Sequence, residues 1–229
     1  MCEELRAAFE QEAIATGRER LLLTAAVAAG QSTVETAYDI PRISAALDYI
    51  HIMSYDLHGA WENTLGHHSQ FVAHPNDPSG TILATDYAIN YWVNGGLPPS
   101  KLVYGMPAYG RGFKMGSADH TPGSPATGSA SAGPSTYESG FLAYFEICEK
   151  LNQGWTEVYD DTMKSVYAYG DGEWVGYENT QSLAHRCNII NERDYAGVMF
   201  WDTSLDDATG SYCGQGKYPL LSMFKDCLQ

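Results

Sequence analysis

The chain has 229 residues, 44% of them hydrophobic, enough to bury a substantial core in one large domain or one domain with an insertion. Its formal net charge of −15 would repel phosphate over most of the surface, which argues against nucleic acid and suits a neutral ligand. No run approaches the roughly 20 apolar residues of a bilayer span, so no membrane partner is expected, and the opening MCEELRAAFE lacks the basic flank and apolar stretch of a signal peptide.

The first segment, CEELRAAFEQEA, places Leu5, Ala8, Phe9 and Ala13 near one face at helical spacing. After Thr16-Gly17-Arg18, the apolar run LLLTAAVAA (21–29) reads as a strand covered on both sides. PRISAALDYI follows as a helix behind Pro41, with Ile43 and Leu47 four apart. The strand IHIMSYD is next, then a helix, TDYAINYWVNGG, which stacks Ala88, Tyr91 and Trp92 and stops at Gly95-Gly96. Pro98-Pro99 leads into another strand, KLVYGMPAYG. Residues 115–136 are rich in Gly, Ser, Pro and Ala and, taken alone, read as a flexible linker. Beyond them a helix is expected over YESGFLAYFEICEKL, then short aromatic strands TEVYDD, KSVYAYG and EWVGYE, with Asp171-Gly172 marking a hairpin. Helix SLAHRCNIINE, strand YAGVMFWD and helix YPLLSMFKDCL complete the chain.

Outside the α+β middle region, strands alternate with helices, which implies a parallel sheet with helical crossovers: an open doubly wound sheet or a (β/α)8 barrel. Residues two apart in a strand share a face, so Met53 points with Tyr55, Met106 with Ala108, and Met199 with Trp201. In any one strand such a methionine fills core space equally well. Three strands repeating the pattern, with Tyr109 and Arg111 just past the end of one, point to a site at the C-terminal strand tips. His58, His67 and His68 lie in a loop without metal-ligand spacing, and no metal or other cofactor is expected.

MSYDLHGAWE, YGMPAYGRGF and GVMFWDTSLDD, supported by LLLTAAVAAG and SYCGQGKYPLL, resemble the later strands of glycoside hydrolase family 18, the chitinases and chitinase-like lectins. The likeness runs along essentially the whole chain. It implies an α/β fold: a partial (β/α)8 TIM barrel, strands five to eight, made by residues 1–110 and 180–229, with an α+β domain inserted over 111–179. Residues 115–136 then become loop structure within the insert.

The resemblance also implies roles. Tyr55 would hold the N-acetyl group of a chitin or N-acetylglucosamine oligosaccharide through its phenol, and Asp56 would orient that acetamide. Met53 would lie beneath the pocket, and Trp201 would be the floor under the sugar ring. Trp61, Tyr109 and Arg111 would line neighbouring subsites, and Glu138 would reach over the sugar from the insert. Aromatic faces and a few polar groups suit such a neutral polymer.

The family's proton donor ends an Asp-x-x-Asp-x-Asp-x-Glu motif on the fourth barrel strand, and no such motif occurs in this sequence. The chain reads as beginning in the helix after that strand. Asp202 takes the opposite strand parity to Trp201 and does not replace the missing acid. The resemblance therefore implies a chitinase module that binds β-1,4-linked N-acetylglucosamine chains, whose parent hydrolyses chitin by a substrate-assisted retaining route, with this chain inactive alone; the alternatives are a non-catalytic lectin and a truncated product with no function of its own. Four strands cannot close such a barrel, so self-association through the open edges is expected. Of the five cysteines, the resemblance pairs Cys148 with Cys213 and implies an extracellular protein; Cys2, Cys187 and Cys227 stay unassigned.

Overall fold

The computed structural model describes residues 1–228. It opens with α1 (Cys2–Thr16) and runs through β1 (Thr24–Ala28), α2 (Gln31–Ala37), α3 (Ile40–Ala46), β2 (Tyr49–Met53), α4 (Thr85–Asn94) and β3 (Leu102–Pro107). The middle region holds β4 (Tyr109–Met115), β5 (Ala126–Ser129), β6 (Phe141–Ala143), α5 (Tyr144–Asn152), β7 (Thr156–Asp160), β8 (Ser165–Gly170) and β9 (Glu173–Tyr177). The chain then returns through α6 (Thr180–Glu192), β10 (Gly197–Trp201) and α7 (Pro219–Cys227).

β1, β2, β3 and β10 form a parallel sheet in that spatial order. Such strands cannot be joined by tight turns, and the helices and the middle region provide the crossovers. β3 lies between two neighbours and every residue of it is buried, as its apolar sequence LVYGMP requires. Ile50 and Ile52 of β2 pack with Trp92 of α4 and Val27 of β1 in the core. β1 corrects one expectation: only Val27 is buried, and Thr24 and Ala26 are exposed, because this edge strand is covered on one face alone. α1 likewise forms without burying a residue. It is tied to the remainder by Arg6, which reaches the Ala46 carbonyl at 2.7 Å and Asp48 at 3.0 Å, and by Cys2, which packs against the edge of the core.

Between β3 and β10 the chain builds an antiparallel sheet, β5-β4-β9-β8-β7, with β6 also paired to β4. Asp171 and Gly172 both take positive φ, 53° and 75°, the geometry that a two-residue turn needs between β8 and β9. Residues 115–136 are not a linker, since Ala126–Ser129 pair with β4. The expected helix over 137–151 also splits. Glu146, buried at the third position of α5, accepts hydrogen bonds from the amides of Ser135, Thr136 and Ala143. That carboxylate draws the preceding residues out of helical conformation and into a loop and β6. Gly133 permits the approach, because a Cβ there would lie 2.3 Å from Glu146 Oε1.

Two disulfides tie elements together: Cys148 on α5 to Cys213, and Cys187 on α6 to Cys227 on α7. Nothing in the sequence singles out the second pair. Cys2 is free.

Candidate functional site

The parallel register aligns the strand tips. Trp201 of β10 lies beside Pro107 of β3, and Met199 beside Gly105. β2 pairs Ile52 with Tyr104, so Met53 falls beside Gly105; the strand stops there, the Ser54 amide turning back to the Ile52 carbonyl at 2.9 Å, and Tyr55 and Asp56 lie in the loop beyond it. Met53 and Met199 thus flank Gly105 from the two neighbouring strands on one face of the sheet. Gly105 makes the floor of that face. A Cβ there would lie 2.3 Å from the Ile52 carbonyl oxygen and 3.1 Å from the Met199 methyl, so no larger residue fits between the two methionine positions.

Asp56 is the electrostatic centre. It leaves β2 with φ of 57°, an uncommon conformation for a non-glycine residue that turns the side chain toward β4. Its Oδ1 accepts from the Tyr109 hydroxyl at 2.8 Å and from Arg111 Nε at 2.7 Å, and His68 Nδ1 lies 3.6 Å away. Burial pushes this carboxyl up, but contacts with His68 and Arg111 outweigh it and hold the group well below the usual carboxylate range. Tyr55 is buried beside it, its ring edge-on to Tyr109 with centroids 6.0 Å apart. Burial first, and the charge of Asp56 second, push the Tyr55 phenol up to about 12, so it remains a proton donor at neutral pH.

Arg111 spreads from this centre. Its guanidinium lies 5.1 Å from the Phe141 ring centroid, 5.5 Å from Tyr109 and 5.7 Å from Trp61, and Nη1 reaches Glu138 Oε1 at 3.4 Å. Two large rings are open to solvent: Trp61, against Arg111, is 63% exposed, and Trp201, at the end of β10, is 53% exposed.

The family model described as glycosyl hydrolases family 18 matches residues 1–206. The chain belongs to that family. The oviduct-specific glycoprotein of Sus scrofa is 40% identical over all of this chain and 42% of its own length. The crystal structure of human YKL-39, described as a pseudo-chitinase with retained chitooligosaccharide binding, superposes with a TM-score of 0.95 at 36% identity, over 99% of this chain and 63% of that one. The structure of an immunomodulatory active chitinase from Trichuris suis gives the same TM-score, 0.95, at 36% identity, over 100% of this chain and 63% of that one. This chain thus spans about two fifths of the first protein and under two thirds of each solved chain. The family likeness agrees with the α/β fold described above.

Within this family 18 chain the structure brings Asp56, Tyr109, Arg111, Glu138 and Trp61 into one connected cluster, with Tyr55 against it, while Trp201 sits at the end of β10 beside Pro107 of β3. Three participants carry no local sequence signal. His68 backs Asp56 from 12 residues away, with its Nε2 3.1 Å from the Tyr109 carbonyl. Phe141 stacks on Tyr109 at 4.6 Å, from a segment whose pattern suggests a helix. Gly105 acts by the side chain it lacks. His67 is structural: its Nε2 reaches the Val166 and Tyr177 carbonyls at 2.9 and 2.8 Å, and burial depresses it to about 4. A separate cleft of about 650 Å³ lies between α3, α4 and the 71–84 segment, lined by Phe71, Thr81, Tyr87, Asn90 and Tyr91. It shares no residue with the strand-tip cluster.

Proposed function

We propose that this chain binds chitin or N-acetylglucosamine oligosaccharides across the tips of β2, β3 and β10, and does not hydrolyse them on its own. In this reading the parallel strands are strands five to eight of a partial (β/α)8 barrel, formed by residues 1–110 and 180–229, and residues 111–179 are an inserted α+β domain. The observation that carries it is the Asp56 carboxylate pinned by Tyr109 and Arg111, with the exposed Trp61 indole against the same guanidinium.

The roles follow from protonation and geometry. The Tyr55 phenol donates to the acetamide carbonyl, and the ionised Asp56 accepts from the acetamide N–H. Trp201 offers its face to the C–H groups of a sugar ring, while Trp61, Tyr109, Arg111 and Glu138 serve neighbouring sugars. Met53 closes the pocket from below. Hydrolysis needs an acid within hydrogen-bond reach of the leaving oxygen. In the described structure Asp202 instead accepts from the Ser204 amide at 2.8 Å. The retained binding of the pseudo-chitinase YKL-39 supports the non-catalytic reading. The Trichuris suis enzyme supports the alternative, that the same fold serves as part of a complete chitinase.

Calorimetry with an N-acetylglucosamine tetramer is expected to give a dissociation constant below about 1 mM, with little heat from the glucose tetramer that lacks the acetamide. No heat from either at millimolar ligand defeats the proposal. A product-release assay on the same sample is expected to stay at background.

Two disulfides support an extracellular location. The unpaired edges of β1 and β10, with Leu21 and Leu22 exposed beside β1, support self-association of the chain by itself. Light scattering is expected to show a dimer or larger species; a stable monomer contradicts that part of the reading.

A further inference from the structure

His58 stands between Asp56 and Trp61 in the chain, and its ring is buried, 3% exposed, where Trp61 is open. Its two nitrogens meet two carboxylates. Nδ1 lies 2.8 Å from Glu62 Oε2, and Nε2 lies 3.0 Å from Asp77 Oδ2. Ionised carboxylates only accept, so both ring nitrogens must donate, which the imidazolium alone can do. Among the described residues, Glu62 and Asp77 are the charged groups in contact with it. Gln70 is the remaining polar neighbour. Its amide nitrogen donates to Asp77 at 2.6 Å and to the Leu83 carbonyl at 3.1 Å, which makes its 3.2 Å approach to His58 Nε2 a contact and not a bond.

The bridge shapes the backbone around Trp61. The Glu62 amide donates to the Gly59 carbonyl at 2.9 Å, so residues 59–62 form a tight turn, and the His58–Glu62 pair closes its base. Asp77, held in turn by the Ser79 amide at 2.9 Å, fastens that turn to the next loop. Gly66 admits the imidazole: a Cβ there would lie 2.6 Å from the ring. The Trp61 indole lies flat on Gly59, where a Cβ would come within 2.3 Å of Cζ3.

We propose that His58 is a positioning residue for saccharide binding: by bridging Glu62 to Asp77 it holds the turn closed and keeps the Trp61 indole seated on Gly59 beside Arg111. This rests on the saccharide reading given above. Burial lowers the affinity of the imidazole for its proton, but the hydrogen bonds to Asp77 and Glu62 outweigh that and raise it from 6.5 to about 9. A histidine raised in the folded state contributes fully below its unfolded value of about 6.5, and its contribution is lost as the pH climbs through about 9. The bridge therefore opens in alkali, as the pH climbs through about 9.

Two readouts test this on the full chain: acrylamide quenching of Trp61 without ligand, taken as the difference from Trp61→Phe, and calorimetry with the N-acetylglucosamine tetramer from pH 6.5 to 10. His58→Gln is expected to expose the indole to quencher and to weaken the tetramer about tenfold, the loss of one charge-assisted hydrogen bond. Wild-type affinity is expected to fall by a similar factor as the pH rises through about 9, while the variant stays flat. A role in stability alone would lower the melting temperature and leave both readouts unchanged in the folded variant, and that result overturns the proposal. Should His58→Gln fail to fold, Glu62→Gln breaks the same turn while keeping the imidazole paired with Asp77, and is held to the same two readings. If the wild type binds no tetramer but quenching still responds to His58, the saccharide reading fails and the positioning role stands.

Discussion

Replacing Asp56 with alanine is expected to weaken binding of an N-acetylglucosamine tetramer by about 100-fold, roughly 3 kcal/mol, as measured by calorimetry. The substitution removes the proposed acceptor for the acetamide N–H and also the anchor of two donors. The Tyr109 hydroxyl and Arg111 Nε both end on the same oxygen, Oδ1, and without it they lose their register with Phe141 and Glu138. Asp56→Asn keeps the shape but not the charge, so an intermediate loss of about tenfold is expected, since hydrogen bonds to a charged acceptor are the stronger kind. Stability should change less than affinity. The Asp56 side chain is 38% exposed, so water screens what the pair contributes to folding, and about 1 kcal/mol is the expected cost. An Asp56→Ala protein that binds with wild-type affinity excludes the carboxylate from the site.

The largest effect on stability is expected at Arg186, far from the strand tips. Arg186 and Glu178 face each other at 3.2 Å with 1% of each side chain exposed. The guanidinium also donates to Ser165 Oγ at 2.7 Å and to the Lys164 carbonyl at 2.8 Å, and stacks 5.0 Å from the Phe71 ring centroid. It thereby joins α6 to the turn between β7 and β8 and to the loop after His68. Arg186→Ala leaves the Glu178 carboxyl buried without its cationic partner, with Oε2 already lacking a hydrogen-bond partner. Breaking such a pair costs about 3–5 kcal/mol, which lowers the melting temperature of a chain this size by about 10 °C. The double variant Arg186→Met with Glu178→Met is expected to recover much of that loss, because the expensive element is the orphaned carboxyl. Equal destabilisation in the single and double variants, read by thermal melting, would show that packing of the arginine stem governs instead.

The contrast between these sites explains what the letters alone could reveal. The parallel strands were legible because their logic is local: apolar runs bounded by turn residues mark β2, β3 and β10, and the register sets Met199 beside Gly105 and Trp201 beside Pro107. The Asp171-Gly172 turn was legible for the same reason, since only residues that tolerate positive φ fit it. The Arg186–Glu178 pair was not, because nothing in SLAHRCNIINE distinguishes a buried arginine from a solvated one. The helix expected over 137–151 failed at a comparable point, where the buried Glu146 side chain captures backbone amides that an isolated peptide would have used for helix. Phe141 and His68 entered the site through such long-range closures and were invisible to spacing. The apolar run before β1 misled in the other direction: Leu21 and Leu22 suggest two-sided burial, yet the sheet ends there and both are exposed.

The central claim is that one saccharide lies along the tips of β2, β3 and β10, and a crystal structure of the chain soaked with the N-acetylglucosamine tetramer tests it most directly. A sugar ring is expected against the Trp201 indole, with its acetamide between Tyr55 and Asp56 and its neighbours running toward Trp61 and Arg111. Density for the tetramer in the cleft between α3 and α4, with the strand-tip face empty, would contradict the account.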